Sequence, residues 1–263
     1  MDLKGKTALV TGAAGAIGKG IASGFLNAGA RVFITDLDQK AVADTVKELA
    51  TGGDARATCL GLAANVTSAQ QVAEVVSAAS REFGGRIDIL VNVAGVVAQG
   101  KVEDISEADW DKLFAVNCKG SFLFIKYAVP LMKAQHYGKI INFSSKSGKT
   151  GSALMCHYSA AKAAIIGLTQ ALAYELADHG ITVNCLCPGI TDHTGVWKHV
   201  AAGYIENLKL PREQVVRKFT EKIPLKRLAS IDDVVAVTLF LASPGADYMT
   251  GQAINVTGGR EMH

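Results

Sequence analysis

"TALVTGAAGAIGKGIA", residues 7–22, consists of a short apolar run, a glycine-rich turn and the start of a helix. In this order the turn brings backbone N–H groups and the positive end of a helix dipole to one point, where a diphosphate binds well. Gly12 permits the tight turn, Gly15 opens the loop and Gly18 lets the helix approach the strand. Ala16 stands where such loops usually carry another glycine. We expect its methyl group to narrow the approach of a pyrophosphate without closing it.

Six further apolar or β-branched runs follow, and amphipathic segments lie between them. The predicted strands begin at Lys6, Arg31, Ala57, Asp88, Lys139, Ile181 and Gln252. The predicted helices cover Ile17–Ala28, Gln39–Ala50, Ser68–Phe83, Glu107–Ala134, His157–His179 and Ile231–Ala242. Apolar runs that alternate with helices indicate an α/β fold with a doubly wound, parallel, seven-stranded sheet, which is a Rossmann fold, and helices on both faces.

No linker, repeat or low-complexity stretch interrupts this pattern, so residues 1–263 are predicted to form a single dinucleotide-binding catalytic domain. The pattern weakens over residues 190–224, between the sixth and seventh strands. An insertion of that length in a compact domain is typical of a lid or a binding segment. We therefore expect residues 190–224 to form a substrate-binding lid.

Composition narrows the class of partner. The chain has 263 residues, 49% of them hydrophobic, with 27 basic and 24 acidic residues for a net charge of +3. No run of five like charges occurs, so neither nucleic acid nor an anionic membrane is an expected partner, and a small molecule is. The five cysteines lack CxxC spacing, and we expect no metal and a reducing, cytoplasmic setting. The start "MDLKGK" lacks the apolar region of a signal peptide, and no apolar run approaches the roughly 20 residues of a membrane span.

Asp36 ends the second predicted strand, 18 residues after Gly18. A carboxylate at that place accepts hydrogen bonds from ribose hydroxyls and repels a 2′-phosphate, which favours NAD over NADP. Leu37 follows, rather than the arginine that would reverse the preference. The alternative is a solvated aspartate in a turn.

Tyr158 and Lys162 stand four residues apart on a predicted helix and so share one face. A phenol titrates near pH 10 in water, and we expect the neighbouring ammonium to lower the pKa of Tyr158. Such a phenol acts as general base for an alcohol or general acid for a ketone. Taken alone, this spacing is more often structural, so the assignment depends on the other motifs.

Several motifs together resemble those of the classical short-chain dehydrogenase/reductase family over essentially the whole chain. "TGAAGAIG" resembles its TGxxxGxG loop, "NVAG" (92–95) its NNAG turn and "YSAAK" (158–162) its YxxxK motif. "VNCKG" carries Asn117 at the position of the family's helix-kinking asparagine. "FSSKSG" places Ser145 thirteen residues before the tyrosine, and "CPGITDHT" resembles PGxxxT, with His193 in place of the threonine.

The resemblance implies a role for each matching residue. Tyr158 would exchange the hydroxyl proton, and Lys162 would lower its pKa and bind the nicotinamide ribose. Ser145 would hold the substrate oxygen, and Asn117 a water that relays the proton. The implied NAD-binding residues are Gly12, Gly15, Ala16, Ile17, Gly18, Asp36, Leu37, Asn65, Val66, Asn92, Ala94, Gly95, Tyr158, Lys162, Pro188, Gly189 and Thr191. Thr191 or Thr194 would substitute for the family threonine that His193 replaces. The family is commonly tetrameric, so a homotetramer is expected.

The loop "SSKSGKTGS" is unusual for the family because it places Lys146 and Lys149 beside Ser145. With "IPLKRLA" and "TGQAINVTGG", it resembles the polyol dehydrogenases that include sorbitol-6-phosphate 2-dehydrogenase. The two lysines could hold a phosphate as point charges, with His193 and Trp197 as further substrate contacts. Solvated loop lysines are the alternative.

The resulting hypothesis is an NAD-dependent enzyme that interconverts a secondary alcohol and a ketone, with a sugar alcohol or its phosphate as substrate. A carbonyl reductase of the ketoacyl or steroid type shares the catalytic residues and stays open as the second possibility. A scaffold that senses NAD without turnover is the third.

Overall fold

Strands form where the apolar runs lie, and they join into one parallel sheet. The computed structural model describes residues 1–50, 58–195 and 211–263. The strands are β1 Thr7–Thr11, β2 Arg31–Thr35, β3 Cys59–Gly61, β4 Ile89–Asn92, β5 Gly138–Phe143, β6 Ile181–Pro188 and β7 Ala253–Val256. Their order is β3-β2-β1-β4-β5-β6-β7, and every neighbouring pair is parallel. The predicted fold class is confirmed.

Helices connect the strands across both faces of the sheet. In the described part of the chain they are α1 Ala16–Asn27, α2 Gln39–Ala50, α3 Ala69–Glu82, α4 Glu107–Phe114, α5 Gly120–Ala134, α6 Lys146–Thr150, α7 Cys156–Leu176, α8 Arg212–Thr220 and α9 Ile231–Ala242. Among these residues no helix is both long and apolar enough to cross a membrane.

Serine side chains cap the starts of α3, α4 and α9, and also of α6, which is described with the site below. Ser68 and Ser106 each accept a hydrogen bond from the backbone N–H three residues later, which satisfies one of the free donors of α3 and α4. Ser230 and Asp233 cap each other's backbone at the start of α9. These local signals explain why the predicted boundaries of α3 and α9 lie within one residue of those observed.

Strand residues alternate between two apolar layers. Ala8 and Val10 of β1 face a cluster that includes residues of α1 and α9, such as Phe25 and Leu241. Leu9, between them, faces the opposite cluster with residues of α3, α5 and α7. This two-sided burial is the reason that the strands read as continuous apolar runs.

The strand order reverses between β1 and β4, and a crevice opens there at the carboxyl ends of the strands. A buried polar chain holds this region. Asn92 Nδ2 donates to Asn142 Oδ1 at 2.9 Å, and Asn142 Nδ2 donates to Thr169 Oγ1 of α7 at 3.0 Å. These hydrogen bonds hold α7, which carries Tyr158, against the central strands β4 and β5.

The structure differs from the sequence prediction at two places. The helix predicted over Glu107–Ala134 is two helices joined by a π-helical turn, Ala115–Lys119. The short helix α6 after Ser145 was not predicted. The segment expected as a lid, 190–224, contains α8, and its residues 196–210 lie outside the described part of the chain.

Candidate active site

The glycine-rich turn brings three backbone segments closer than side chains would allow. Gly12 has a φ of +65°, and a Cβ on it would lie 2.7 Å from the Cα of Ala94 in the turn after β4. A Cβ on Gly18 would collide with the carbonyl oxygen of Gly12. Both positions therefore require glycine, and the turn presents bare backbone at the crevice.

The start of α1 suits a diphosphate. Gly15 is the N-cap residue and supplies no side-chain cap, and the first turn of the helix has no acidic residue. Its backbone N–H groups and dipole therefore face the crevice without a competing side-chain acceptor. Ala16 is the first helical residue and is half-buried. Ile17 follows and lines the cavity described below.

Asp36 is tied to the glycine-rich turn. Its carboxylate accepts hydrogen bonds from Ala14 N at 2.9 Å and from Leu37 N at 2.7 Å. Lys19, the nearest basic residue in α1, is paired with Glu48 of α2 at 3.0 Å. Lys19 therefore pairs with a carboxylate other than Asp36. Leu37, the next residue, is 71% exposed.

The turn after β4 is held by Thr11. Its Oγ1 accepts hydrogen bonds from Val93 N and Ala94 N, each at 3.1 Å. Val93 therefore serves here through its backbone, which explains how an apolar residue fits this position. Asn92 contacts Asn142 rather than the crevice, so its role in the structure is to join strands β4 and β5.

Tyr158 lies in the wall of the cavity and is 8% exposed. Its phenol shares a hydrogen bond with the Ser145 side chain, and Ser145 also accepts a hydrogen bond from Ser147 N at 3.2 Å as the N-cap of α6. Burial raises the pKa of Tyr158, and the hydrogen bond to Ser145 lowers it by less. The expectation of a lowered pKa for Tyr158 is therefore wrong, because loss of hydration outweighs the hydrogen bond to Ser145.

Lys162 lies one helical turn after Tyr158, with its Nζ 5.8 Å from the centre of the phenol ring. The ammonium donates to the carbonyl oxygen of Phe143 at 2.8 Å. Burial lowers the pKa of Lys162 to about 8, and nearby cysteine thiols only partly offset this. At neutral pH Lys162 therefore carries a buried positive charge.

Asn117 lies in the π-helical turn. Its Nδ2 donates to Val96 O at 2.9 Å and to Leu113 O at 3.0 Å, while its Oδ1 is buried without a hydrogen-bond partner. A Cβ on Gly95 would lie 2.6 Å from that oxygen, so glycine is required beside it. An unsatisfied acceptor aimed at Gly95 in the cavity wall is a place where a water or ligand donor can bind.

These side chains surround one cavity of about 520 Å³. Its lining includes the predicted residues Ile17, Gly95, Asn117, Ser145, Lys146, Tyr158, Lys162, Pro188, Gly189 and Thr191, together with Thr194. The structure thus brings together the four predicted catalytic residues and one of the two loop lysines.

Other predicted residues lie elsewhere. Lys149 does not line the cavity, because its Nζ donates to the carbonyl oxygen of Ala253 in β7 at 2.6 Å. His193 has a side chain that is 83% exposed and leans toward Asp192, so it also fails as a cavity residue. The structure therefore does not place Lys149 or His193 where either could contact a substrate in this cavity. Trp197 falls outside the described residues.

Two of the predicted NAD-binding residues, Asn65 and Val66, lie in the turn that precedes α3. Asn65 is exposed, and its Oδ1 accepts hydrogen bonds from Thr67 N and Thr67 Oγ1 at 3.0 and 2.8 Å. Val66 packs close to Gly120, where a Cβ would lie 2.8 Å from Val66 Cγ2. Asn65 thus forms the turn that precedes α3 at the sheet edge.

The cavity also has residues that the sequence did not single out. Met155 and Phe219 supply apolar wall, and Lys222 and Arg260 supply charge. In the sequence, Lys222 is marked only by its position in residues 190–224, where the strand–helix pattern weakens. Arg260 lies in "GGREMH", which matches no motif. Within the described residues, no group of three or more His, Cys, Asp or Glu side chains is arranged to hold a metal ion.

A family model described as enoyl-(acyl carrier protein) reductase matches residues 12–261. The chain is a member of the short-chain dehydrogenase/reductase family. Its sequence is 39% identical to galactitol 2-dehydrogenase of Agrobacterium fabrum, over 100% of both chains. It is 37% identical to sorbitol-6-phosphate 2-dehydrogenase of Escherichia coli, over 98% of this chain and 99% of that one. It is also 38% identical to 3-oxoacyl-[acyl-carrier-protein] reductase FabG of Thermotoga maritima, with the same coverage.

Solved structures agree with this family assignment. The crystal structure of a variant of actinorhodin polyketide ketoreductase with NADPH has a TM-score of 0.93 and 32% sequence identity, and the match covers 98% of each chain. This short-chain dehydrogenase/reductase is therefore an oxidoreductase whose cofactor is of the NAD(P) type.

Proposed function

We propose that this enzyme uses NAD to interconvert a secondary alcohol and a ketone, and that its substrate is a sugar alcohol or a sugar-alcohol phosphate. The observation that carries the proposal is the shared cavity: Ser145, Tyr158 and Lys162 line it together beside the glycine-rich turn. The polyol dehydrogenases among its relatives support the substrate class.

During oxidation the alcohol loses a proton from oxygen and a hydride from carbon. Ser145 holds the substrate oxygen, and Tyr158 accepts the proton at its phenolate oxygen. A bound nicotinamide supplies the hydride acceptor at C4. Ketone reduction reverses both transfers, with Tyr158 as the proton donor.

Lys162 supplies the charge that this proton transfer needs. Burial raises the pKa of Tyr158, so the phenolate forms only where a positive charge stabilises it. The Lys162 ammonium, one turn away and cut off from bulk water, is such a charge. In this proposal it also donates to the ribose of the cofactor, an alternative to its present bond with Phe143 O.

Asp36 supports NAD rather than NADP. Its carboxylate lies at the end of β2 beside the turn, and the lysine of α1 that could offset it is paired with Glu48. A 2′-phosphate on the adenosine ribose would meet this negative charge. The matching measurement is kcat/KM with NAD and with NADP on the same alcohol.

Replacement of the phenol by Tyr158→Phe tests the mechanism. The variant lacks only the exchanging oxygen, and turnover of every alcohol is expected to fall by at least 100-fold while NADH binding is kept. Tyr248→Phe, at a fully exposed tyrosine, is the matched control. Full activity in Tyr158→Phe would disprove the assigned mechanism.

A ketoacyl-type carbonyl reductase is the second candidate. The FabG relative, the ketoreductase structure with NADPH and the apolar wall at Met155 and Phe219 favour it. A panel of free polyols, polyol phosphates and 3-oxoacyl thioesters, each with both cofactors, discriminates the two. Turnover of any of these substrates also excludes the scaffold that senses NAD without reaction.

We also propose a homotetramer. Large apolar side chains stay exposed on α4, α5 and α7, namely Trp110, Phe122 and Tyr174. Exposed side chains on these helices can pack against the same helices of another copy of the chain. Sedimentation velocity at several protein concentrations measures the assembly directly.

A further inference from the structure

One wall of the cavity is strongly cationic. Lys146 follows the catalytic serine, Lys222 follows α8, and Arg260 follows β7 near the end of the chain, yet all three line the same cavity. Their charges are close enough that Arg260 and Lys222 both disfavour the ammonium form of Lys146. Three segments far apart in sequence thus place like charges together, which costs free energy unless something offsets them.

Glu261 fixes two of these cations. Its Oε1 lies 3.7 Å from Lys146 Nζ and 3.4 Å from Arg260 Nε, and its side chain is only 9% exposed. Its backbone carbonyl accepts hydrogen bonds from Asn255 Nδ2 at 3.1 Å and from Thr257 Oγ1 at 3.2 Å. The tail is therefore anchored by both backbone and carboxylate, so Arg260 is held in the wall.

The negative charge of Glu261 does not neutralise the positive charge of this cavity wall. One acid faces two cations at salt-bridge distance, and Lys222 adds a third charge nearby. Arg260 is also fixed from the other side, because its guanidinium lies over the Phe219 ring at 5.9 Å from the centroid. Two half-buried, pre-positioned cations beside a third, with a surplus of positive charge, form the type of site that binds an oxyanion.

We propose that Lys146, Lys222 and Arg260 bind an oxyanion group of the substrate, a phosphate or a carboxylate, while Tyr158 acts on a hydroxyl elsewhere on the same molecule. This inference rests on the proposed function, since it names the substrate class of that same cavity. In the sequence-based hypothesis Lys146 and Lys149 bind the phosphate together. Here Lys222 and Arg260, from other segments, take the place of Lys149. The substrate is then a polyol phosphate or a polyol carboxylate rather than a free polyol.

Calorimetric titration of the enzyme–NADH complex tests charge recognition without turnover. The probes are sorbitol, sorbitol 6-phosphate and gluconate, which share a polyol chain and differ in the terminal group. At least one anionic probe is expected to bind tenfold or more tightly than sorbitol, and the tighter of the two identifies phosphate or carboxylate as the group. Saturation with NADH keeps the probes out of the diphosphate position at α1.

Variants of Lys222 test whether this cavity wall is responsible for the tighter binding of anionic probes. Lys222 is exposed, so Lys222→Ala is expected to fold normally, which a thermal melt checks. Loss of one charged contact should weaken binding of the anionic probe roughly ten- to a hundredfold and leave sorbitol binding unchanged. Lys222→Arg should restore much of the affinity. Lys226→Ala, an exposed lysine in the same loop that does not line the cavity, is the matched control.

Equal binding of all three probes would overturn the proposal, as would Lys222→Ala with unchanged affinity for the anionic probe. The wall would then serve only to anchor the tail. Failure of the proposed function gives a different result: tight, charge-dependent binding with no NAD reduction by any alcohol. Because affinity and turnover are measured separately, the two failures are distinguishable.

Discussion

Replacement of Lys162 by methionine is expected to stabilise the protein while abolishing its activity. Burial lowers the pKa of Lys162 from 10.5 to about 8. That difference corresponds to about 3 kcal/mol of penalty on the ammonium form in the folded state. Methionine has a similar length and no charge, so it removes this penalty.

Loss of a hydrogen bond reduces the stability that Lys162→Met gains. The ammonium donates to Phe143 O at 2.8 Å, and loss of this donor to a buried carbonyl costs about 1–2 kcal/mol. The net gain at pH 7 is therefore roughly 1–2 kcal/mol, or roughly 2–8 °C in Tm for a chain of this size. Alcohol turnover should be lost, because no charge remains to stabilise the Tyr158 phenolate.

The pH dependence is the sharper measurement. Folding releases a proton from Lys162 between pH values of about 8 and 10.5, so wild-type stability rises with pH through that window and is lowered below it. The advantage of Lys162→Met should be greatest at pH 8 and below, and should shrink by about 3 kcal/mol as the pH approaches 10.5. Urea denaturation at fixed protein concentration across this range gives the difference. A difference in the free energy of unfolding that does not change with pH would refute the reasoning.

Three further predictions concern the turn, the acid and the π-helical turn. Gly18→Ala should lower the free energy of unfolding by about 2–3 kcal/mol and weaken NADH binding, because its Cβ would collide with the Gly12 carbonyl. Gly167→Ala in α7, where a Cβ would meet nothing within 4 Å, should do neither. Asp36→Asn should lower the ratio of kcat/KM for NAD over NADP at least tenfold, since about 1–4 kcal/mol of repulsion is removed. Asn117→Ala should destabilise the protein by about 2 kcal/mol in urea denaturation, because Nδ2 makes two buried hydrogen bonds.

Strands and most helices were predictable because their signals are local. Each strand is a short apolar run, and Ser68 and Ser230 mark helix starts by side-chain capping. The break at Asn117 has no such signal: Ala115–Lys119 is helical by composition, and the π-helical turn follows from tertiary contacts of the asparagine with Val96 and Leu113. Only the family resemblance pointed to it.

Lys146 and Lys149 show why the positions of side chains could not be predicted from the sequence. They are three residues apart in α6 and have the same residue type, so no pattern separates them. One reaches Glu261 at the cavity wall, and the other reaches the carbonyl of Ala253 behind it. That choice is made by segments more than 100 residues further along the chain, whose positions local periodicity does not contain.

The two halves of the site differ in what they demand of the sequence. The nucleotide half is built from backbone, so it requires glycine at Gly12 and Gly18 and shows as a motif. The substrate half is built from long side chains on separate segments, which many residue types could replace. Relatives named for galactitol, sorbitol 6-phosphate and 3-oxoacyl-[acyl-carrier-protein] accordingly share 37–39% identity with this chain, and that narrow range does not rank their substrates. The substrate of this enzyme is therefore better inferred from the charges at Lys146, Lys222 and Arg260 than from overall similarity.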